Sequence, residues 1–160
     1  MPNIDLVREV KRQKRTLKSI LSVQSESEKE YMMQQSILDR LQNIKSSLTE
    51  KEQKNFVVDF YEGNIFVTKG VLSKKEKYPC VVSHTDTVHD IINSYSIEEK
   101  DGWFYAMDND KLEQVGTGGD DKVGIFITLE MIRAKKKIKA AFFAEEEIGL
   151  VGSTRAPSVF

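Results

Sequence analysis

Cysteine is nearly absent from the 160 residues: Cys80 stands alone, so no internal disulfide can form. A chain without disulfides fits a reducing compartment, and the expected location is the cytoplasm. Histidine is almost as scarce, with only His84 and His89. Long apolar runs are missing too. Stretches such as Ala140–Ala144 are far too short to cross a bilayer, and no apolar run follows Met1-Pro2-Asn3-Ile4-Asp5 to make a signal peptide. Neither sign of charge dominates. The 24 basic residues face 25 acidic ones, so the net charge is −1. That balance argues against a general polyanion binder, and neither a nucleic acid nor a membrane is expected as a partner. What is present is 39% apolar and 31% charged residues, enough for one sizeable core.

The first 54 residues are expected to be helical. Val7, Val10, Leu17 and Leu21 fall on one helix face, and a break follows at 22–27. Ser25 with Glu28, or Ser27 with Glu30, offers a capping box for the next helix. Its apolar stripe is Met33, Ile37, Leu41 and Ile44. The basic cluster Arg8, Lys11, Arg12, Lys14 and Arg15 reads as the solvated face of the first helix. A nucleic-acid patch is the lesser reading, because no aromatic residues interleave with it.

From Asn55 the pattern turns to strands. Phe56–Tyr61 and Ile65–Thr68 flank Glu62-Gly63-Asn64, whose residue types suit a hairpin turn. Tyr78–Val82 reads as a short strand buried on both faces, which would make Cys80 inert. A second hairpin is expected about Asp101-Gly102, with Trp103 and Tyr105 read as its packing. A helix is predicted over Asp121–Lys135, with Val123, Phe126, Ile127 and Met131 among its buried residues. A buried strand follows over Ile138–Ala144. Strands alternating with helices give an α/β fold, and in such sheets ligands bind beyond the carboxyl ends of the strands.

That rule selects three places, and all three carry metal-type ligands: Ser83-His84-Thr85-Asp86-Thr87-Val88, Gly116-Thr117-Gly118-Gly119-Asp120-Asp121-Lys122 and Glu145-Glu146-Glu147-Ile148-Gly149. Taken singly, each has a plainer reading. His84 can sit on a surface loop, and Asp120 or Asp121 can cap a helix. Lys122 can face a substrate or lie on the helix surface. The glycine-rich loop is a poor phosphate site, since it lacks the Gly-Lys-Ser/Thr ending and two aspartates would repel the anion. Taken together, a His, an Asp and a Glu at one sheet edge make a hard N/O metal site of the kind zinc accepts. Asp86 could orient the His84 ring, and a glutamate that binds no metal could act as a general base.

These residues, in this order, resemble the dinuclear zinc exopeptidases, in particular the peptidase T and carboxypeptidase G group. Further matches are Leu21–Ser25 with Glu28 and Glu30, Gly63-Asn64-Ile65, Gly119-Asp120-Asp121-Lys122-x-Gly124, and Gly152-Ser153 after the three glutamates. The resemblance covers roughly residues 17–153. It implies a three-layer α/β fold with a mixed sheet and helices on both faces, incomplete at its C-terminus. It also implies two zinc ions, with His84, Asp120 and Glu147 as ligands and Asp120 bridging. Asp86 would orient His84, and Glu146 would be the general base. The peptide bond after Asp120 is often cis in this family.

The implied activity is hydrolysis of short peptides or related amides. Residues 1–160 would form a single partial catalytic domain without the family's lid or dimerisation domain. Glu145 stands where the family often has Asp. Beyond Glu147 there is no Asp, Glu or His, whereas the family needs a further acidic ligand and a late histidine. The expectation is therefore a truncated enzyme, or a split one completed by a second chain. The alternative is a non-catalytic binding protein that keeps the fold.

Overall fold

The computed structural model describes residues 4–73 and 75–157. It begins with helices α1 (Ile4–Leu21), α2 (Tyr31–Ser46) and α3 (Glu50–Gln53). The hairpin β1 (Phe56–Tyr61) and β2 (Asn64–Lys69) follows, then β3 (Cys80–His84). Strands β4 (Tyr95–Lys100), β5 (Trp103–Asp108) and β6 (Glu113–Val115) precede α4 (Gly119–Ala134), β7 (Ile138–Phe143) and α5 (Val151–Thr154). The architecture is mixed α/β with two sheets. One has the order β1-β2-β7-β3 and the other β4-β5-β6.

Both expected hairpins form, because each rests on local turn chemistry. Tyr61 pairs with Asn64 around Glu62 and Gly63, both at positive φ, and Lys100 pairs with Trp103 around Asp101 and Gly102, also at positive φ. β7 lies between β2 and β3, antiparallel to the first and parallel to the second. The parallel pair matters most for function, since it brings the carboxyl ends of β3 and β7 to the same edge.

The main core lies on one face of the larger sheet. Ile65 and Val67 of β2 and Ile138, Ala140 and Phe142 of β7 alternate onto that face, as strand geometry requires. They meet Ile20 of α1, Ile125, Leu129 and Ile132 of α4, and the α2 stripe Met33, Ile37, Leu41 and Ile44. That stripe is fully buried, as its spacing predicts. A smaller cluster of Leu21, Ile97 and Ala106 joins α1 to the second sheet. Lys69 is buried against the end of α4, where its Nζ donates to the carbonyls of Ile132 (2.8 Å) and Arg133 (3.3 Å) and so satisfies a helix C-terminus.

Four sequence expectations change. Val7 and Val10 are exposed, so α1 packs only through its second half. α4 buries Ile125, Leu129 and Ile132 and leaves Val123 and Ile127 exposed, because the helix carries apolar residues on most sides and its pattern does not fix its rotation. β3 is an edge strand and not a strand buried on both faces: Cys80 and Val82 are exposed, so Cys80 is not a sequestered core thiol. Neither serine–glutamate capping box forms at α2, whose N-cap Glu30 makes no side-chain cap bond. The capping box that does form is Thr49 with Glu52 at α3.

In the basic cluster, Arg12 pairs with Glu9 and with Glu130 of α4, and Lys14 pairs with Glu99 of β4, so part of it fastens α1 to its neighbours. Among the described residues, no helix is long and apolar enough to cross a membrane.

Candidate metal centre

Three chain segments meet beyond the parallel strands. The β3–β7 ladder runs one residue past β3, with Thr85 N–H donating to the Phe143 carbonyl at 2.8 Å. His84 therefore stands at the end of β3 while Glu145–Glu147 leave the end of β7. The first residues of α4 close the third side, where the Asp120–Asp121 peptide bond is cis.

Asp86 organises this edge. It has no exposed surface. Its Oδ1 accepts the Glu146 N–H (2.9 Å) and His84 Nδ1–H (3.2 Å), and its Oδ2 accepts Ser27 Oγ–H (2.7 Å) and the Glu147 N–H (3.0 Å). Burial alone would raise its pKa, but the His84, Ser27 and backbone hydrogen bonds outweigh it and hold the carboxyl down at about 2. One carboxylate thus orients the His84 ring and fixes the backbone of the glutamate loop.

With Nδ1 committed to Asp86, His84 turns Nε2 toward Asp120 Oδ1, 3.2 Å away. Burial works against charging the ring, yet the bonds to Asp86 and Asp120 prevail and lift its pKa to about 9. The Asp120 side chain is 87% exposed, so that side of the cluster is open. Donor atoms of His84, Asp120 and Glu147 all lie within 4.8 Å of one another. Burial pushes the Glu147 pKa up, and the carboxylates of Glu146, Asp120 and Asp86 add to the rise against the pull of His84. One imidazole and two carboxylates within reach of one another are a hard N/O donor set whose chemistry fits a divalent cation such as zinc, with ligand positions left over.

Glu146 stands beside this group. Its Oε2 is 4.0 Å from His84 Nε2. It also lines a cavity of about 320 Å³ with Val82, Phe143, Leu150 and Ser153. Asp121 is outside the group of three: it accepts the His84 backbone N–H at 3.1 Å and lines the same cavity. His89 is exposed and outside the group of three, lining a second cavity of about 590 Å³ with Thr87, Asp108 and Gly116. Lys122 is not a surface lysine: it is buried at the wall of that second cavity, and burial pulls its ammonium down to about 8.

The five residues singled out in the sequence, His84, Asp86, Asp120, Glu146 and Glu147, lie together at this edge, but much of what supports them escapes the sequence reading. Ser27 and Glu30, read as helix caps, serve the site instead. Glu30 Oε1 accepts the Glu145 N–H at 2.8 Å. Asn64 accepts the Ala144 N–H (3.0 Å) and donates to the Gly152 carbonyl (2.9 Å), tying the hairpin to the loop. The available signal was polarity where packing demands apolar residues: Asn64 opens a strand whose next three residues are all buried.

Burial, with the Asp86 and Glu145 charges adding to it, raises the Glu30 carboxyl to about 7, against the pull of the Glu145 N–H. Between about pH 4.5 and 7 the folded chain therefore keeps a proton that the unfolded chain has lost, so this group costs stability as the pH rises through that window. Glu30→Gln keeps the acceptor and removes the charge. In chelator-treated protein it is expected to match wild type at pH 5 and to exceed it by about 2–3 kcal/mol at pH 8, read by urea unfolding. A pH-independent difference would refute this reading of Glu30.

No protein-family model matches the chain, and a search of curated proteins finds no match. Solved structures do match. A tripeptidase from Staphylococcus aureus superposes with a TM-score of 0.69 at 22% identity, over 92% of this chain and 40% of its own. The aminopeptidase PepT from Bacillus cereus gives 0.66 at 20% identity, covering 92% and 39%. The aminoacylhistidine dipeptidase from Vibrio alginolyticus gives 0.62 at 17%, covering 92% and 30%. The chain thus has the fold of the N-terminal part of these peptidases and spans two fifths or less of their length.

Proposed function

We propose that this chain is the metal-binding part of a zinc-dependent exopeptidase-like hydrolase acting on short peptides or related amides. The observation that carries the reading is the convergence of His84, Asp120 and Glu147 at the carboxyl ends of two parallel strands, with Asp86 orienting the histidine. His84, Asp120 and Glu147 would be the ligands that hold the zinc, two ions being expected in the complete site. Zinc, when bound, supplies Lewis acidity toward a substrate carbonyl and lowers the pKa of water. Glu146, beside the cluster with its carboxylate partly open to solvent, takes up a proton from water as general base. Asp86 acts through His84: it accepts Nδ1–H and so presents Nε2 as the ligand.

Residues 1–160 act as one partial catalytic domain with residues 1–54 as its helical segment, in the cytoplasm. One histidine and two carboxylates leave zinc ligand positions to be filled from outside residues 1–160.

The test is zinc content and tripeptide hydrolysis by the purified chain in excess zinc. At least one equivalent of bound zinc, with hydrolysis appearing alone or on supplying the completing segment in the same chain or a separate one, supports the reading. Bound zinc with no hydrolysis in either setting would establish the non-catalytic binding protein. Failure to bind zinc would overturn the metal centre itself.

A further inference from the structure

Behind the loop that carries Asp120, an ammonium is buried against two carbonyls and the face of a tyrosine ring. Lys122 is 2% exposed. Its Nζ donates to the Thr117 carbonyl (3.2 Å) and the Leu21 carbonyl (3.4 Å), and it lies 5.7 Å from the centre of the Tyr95 ring. The Tyr95 hydroxyl lies within hydrogen-bonding distance of the same two acceptors, 3.2 Å from Leu21 O and 3.3 Å from Thr117 O. Two donors, one on α4 and one on β4, therefore share two carbonyls, one at the end of α1 and one in the loop before Asp120.

What this knot joins gives it meaning. A Cβ on Gly118 would fall 2.7 Å from Thr87 Cγ2, 3.0 Å from Lys122 Cε and 3.1 Å from its Nζ, so the lysine stem and Thr87 pack directly under the loop. The other acceptor, Leu21, leads into the segment that braces the opposite side of the cluster. There the Ser25 carbonyl accepts the Thr87 N–H (2.8 Å), Ser27 donates to Asp86 and Glu30 holds Glu145. A buried ammonium is costly unless its donors are used, and among the described residues the Thr117 and Leu21 carbonyls are the hydrogen-bond acceptors it has.

We propose that Lys122 and Tyr95 are positioning residues that act as one clamp, locking the 116–120 loop onto the end of α1 and so setting where the Asp120 carboxylate stands relative to His84 and Glu147. This inference rests on the metal centre proposed above for its consequence, though not for the clamp itself. Neither residue touches the cluster; both act through the backbone of the Asp120 loop.

The test compares Lys122→Met, Tyr95→Phe and the double variant by two measurements. Hydrogen exchange of the 115–121 segment is read without metal, and affinity for Co²⁺ is read from its absorption spectrum. Each single variant is expected to speed exchange in 115–121 at least tenfold, with α2 and the β1–β2 hairpin unchanged, and to weaken Co²⁺ binding about tenfold. The double variant is expected to lose more than the sum of the two singles, because each single leaves both carbonyls one donor and the double leaves them none. Unchanged exchange, a uniform rise across the chain, or fully additive losses would each overturn the clamp. Should Lys122→Met fail to fold, Tyr95→Phe decides, since it removes one hydroxyl from a partly buried site. A wild type that binds no Co²⁺ would defeat the metal reading and leave the exchange result to judge the clamp.

Discussion

Asp86→Ala is expected to cost about 4 kcal/mol or more, enough to leave much of the chain unfolded at room temperature. The reason is the number of donors that depend on one buried carboxylate. Ser27 Oγ, the amides of Glu146 and Glu147, and His84 Nδ1 all give their hydrogen bonds to Asp86, which has no exposed surface. Alanine leaves these groups unpaired where water cannot easily replace the lost acceptor.

Asp86→Asn should also be costly, by about 2–4 kcal/mol, although its shape is nearly unchanged. Each carboxylate oxygen faces a backbone N–H, so an amide group placed either way points donor at donor. The pH dependence follows from the same contacts. The Asp86 pKa is held at about 2 in the folded chain, below its ordinary 3.8. Its contribution is therefore fully present above about pH 4 and is lost as the pH falls toward 2. Urea unfolding at pH 7 and at pH 3 checks both statements. A loss under 1 kcal/mol for Asp86→Ala would mean that the glutamate loop is held by other contacts.

The roles of Asp86 show where sequence reasoning reaches and where it stops. The candidate site was legible because its members lie next to strong local signals. His84 and Glu147 follow apolar strands, and Asp120 precedes an apolar helix, so each position is fixed by the segment that carries it. The supporting contacts were not legible, because their partners lie far along the chain: 59 residues separate Ser27 from Asp86 and 115 separate Glu30 from Glu145. A serine three residues before a glutamate reads as a capping box when only neighbours are considered. In the folded chain, buried carboxyl and amide groups of the site compete for the same side chains and win.

The rotation of α4 was hidden for a related reason. Lys122 takes a buried position that a polarity pattern assigns to the surface, and its ammonium is stabilised by carbonyls of α1 and of the 116–120 loop. The edge position of β3 was equally hidden, since an apolar run records burial and not which neighbours provide it.

The proposed division of labour between ligands and base makes the second large prediction. His84→Ala is expected to weaken zinc binding more than about 100-fold, read by competition with a chromophoric chelator, because it removes one of three protein donors and the only nitrogen. The substitution also frees Asp86 Oδ1 from one of its donors, but the Glu146 amide remains on that oxygen, so the fold should survive. Glu146→Gln should behave in the opposite way, with zinc affinity within about fivefold of wild type. Its carboxylate lies 4.0 Å from His84 Nε2 and outside the group of three, while its backbone bond to Asp86 is untouched by the change. A base that is not a ligand can be neutralised without opening the metal shell. Equal losses in the two variants would make Glu146 a ligand and remove it from the role of base. Unchanged zinc binding in His84→Ala would place the metal away from the β3 edge altogether.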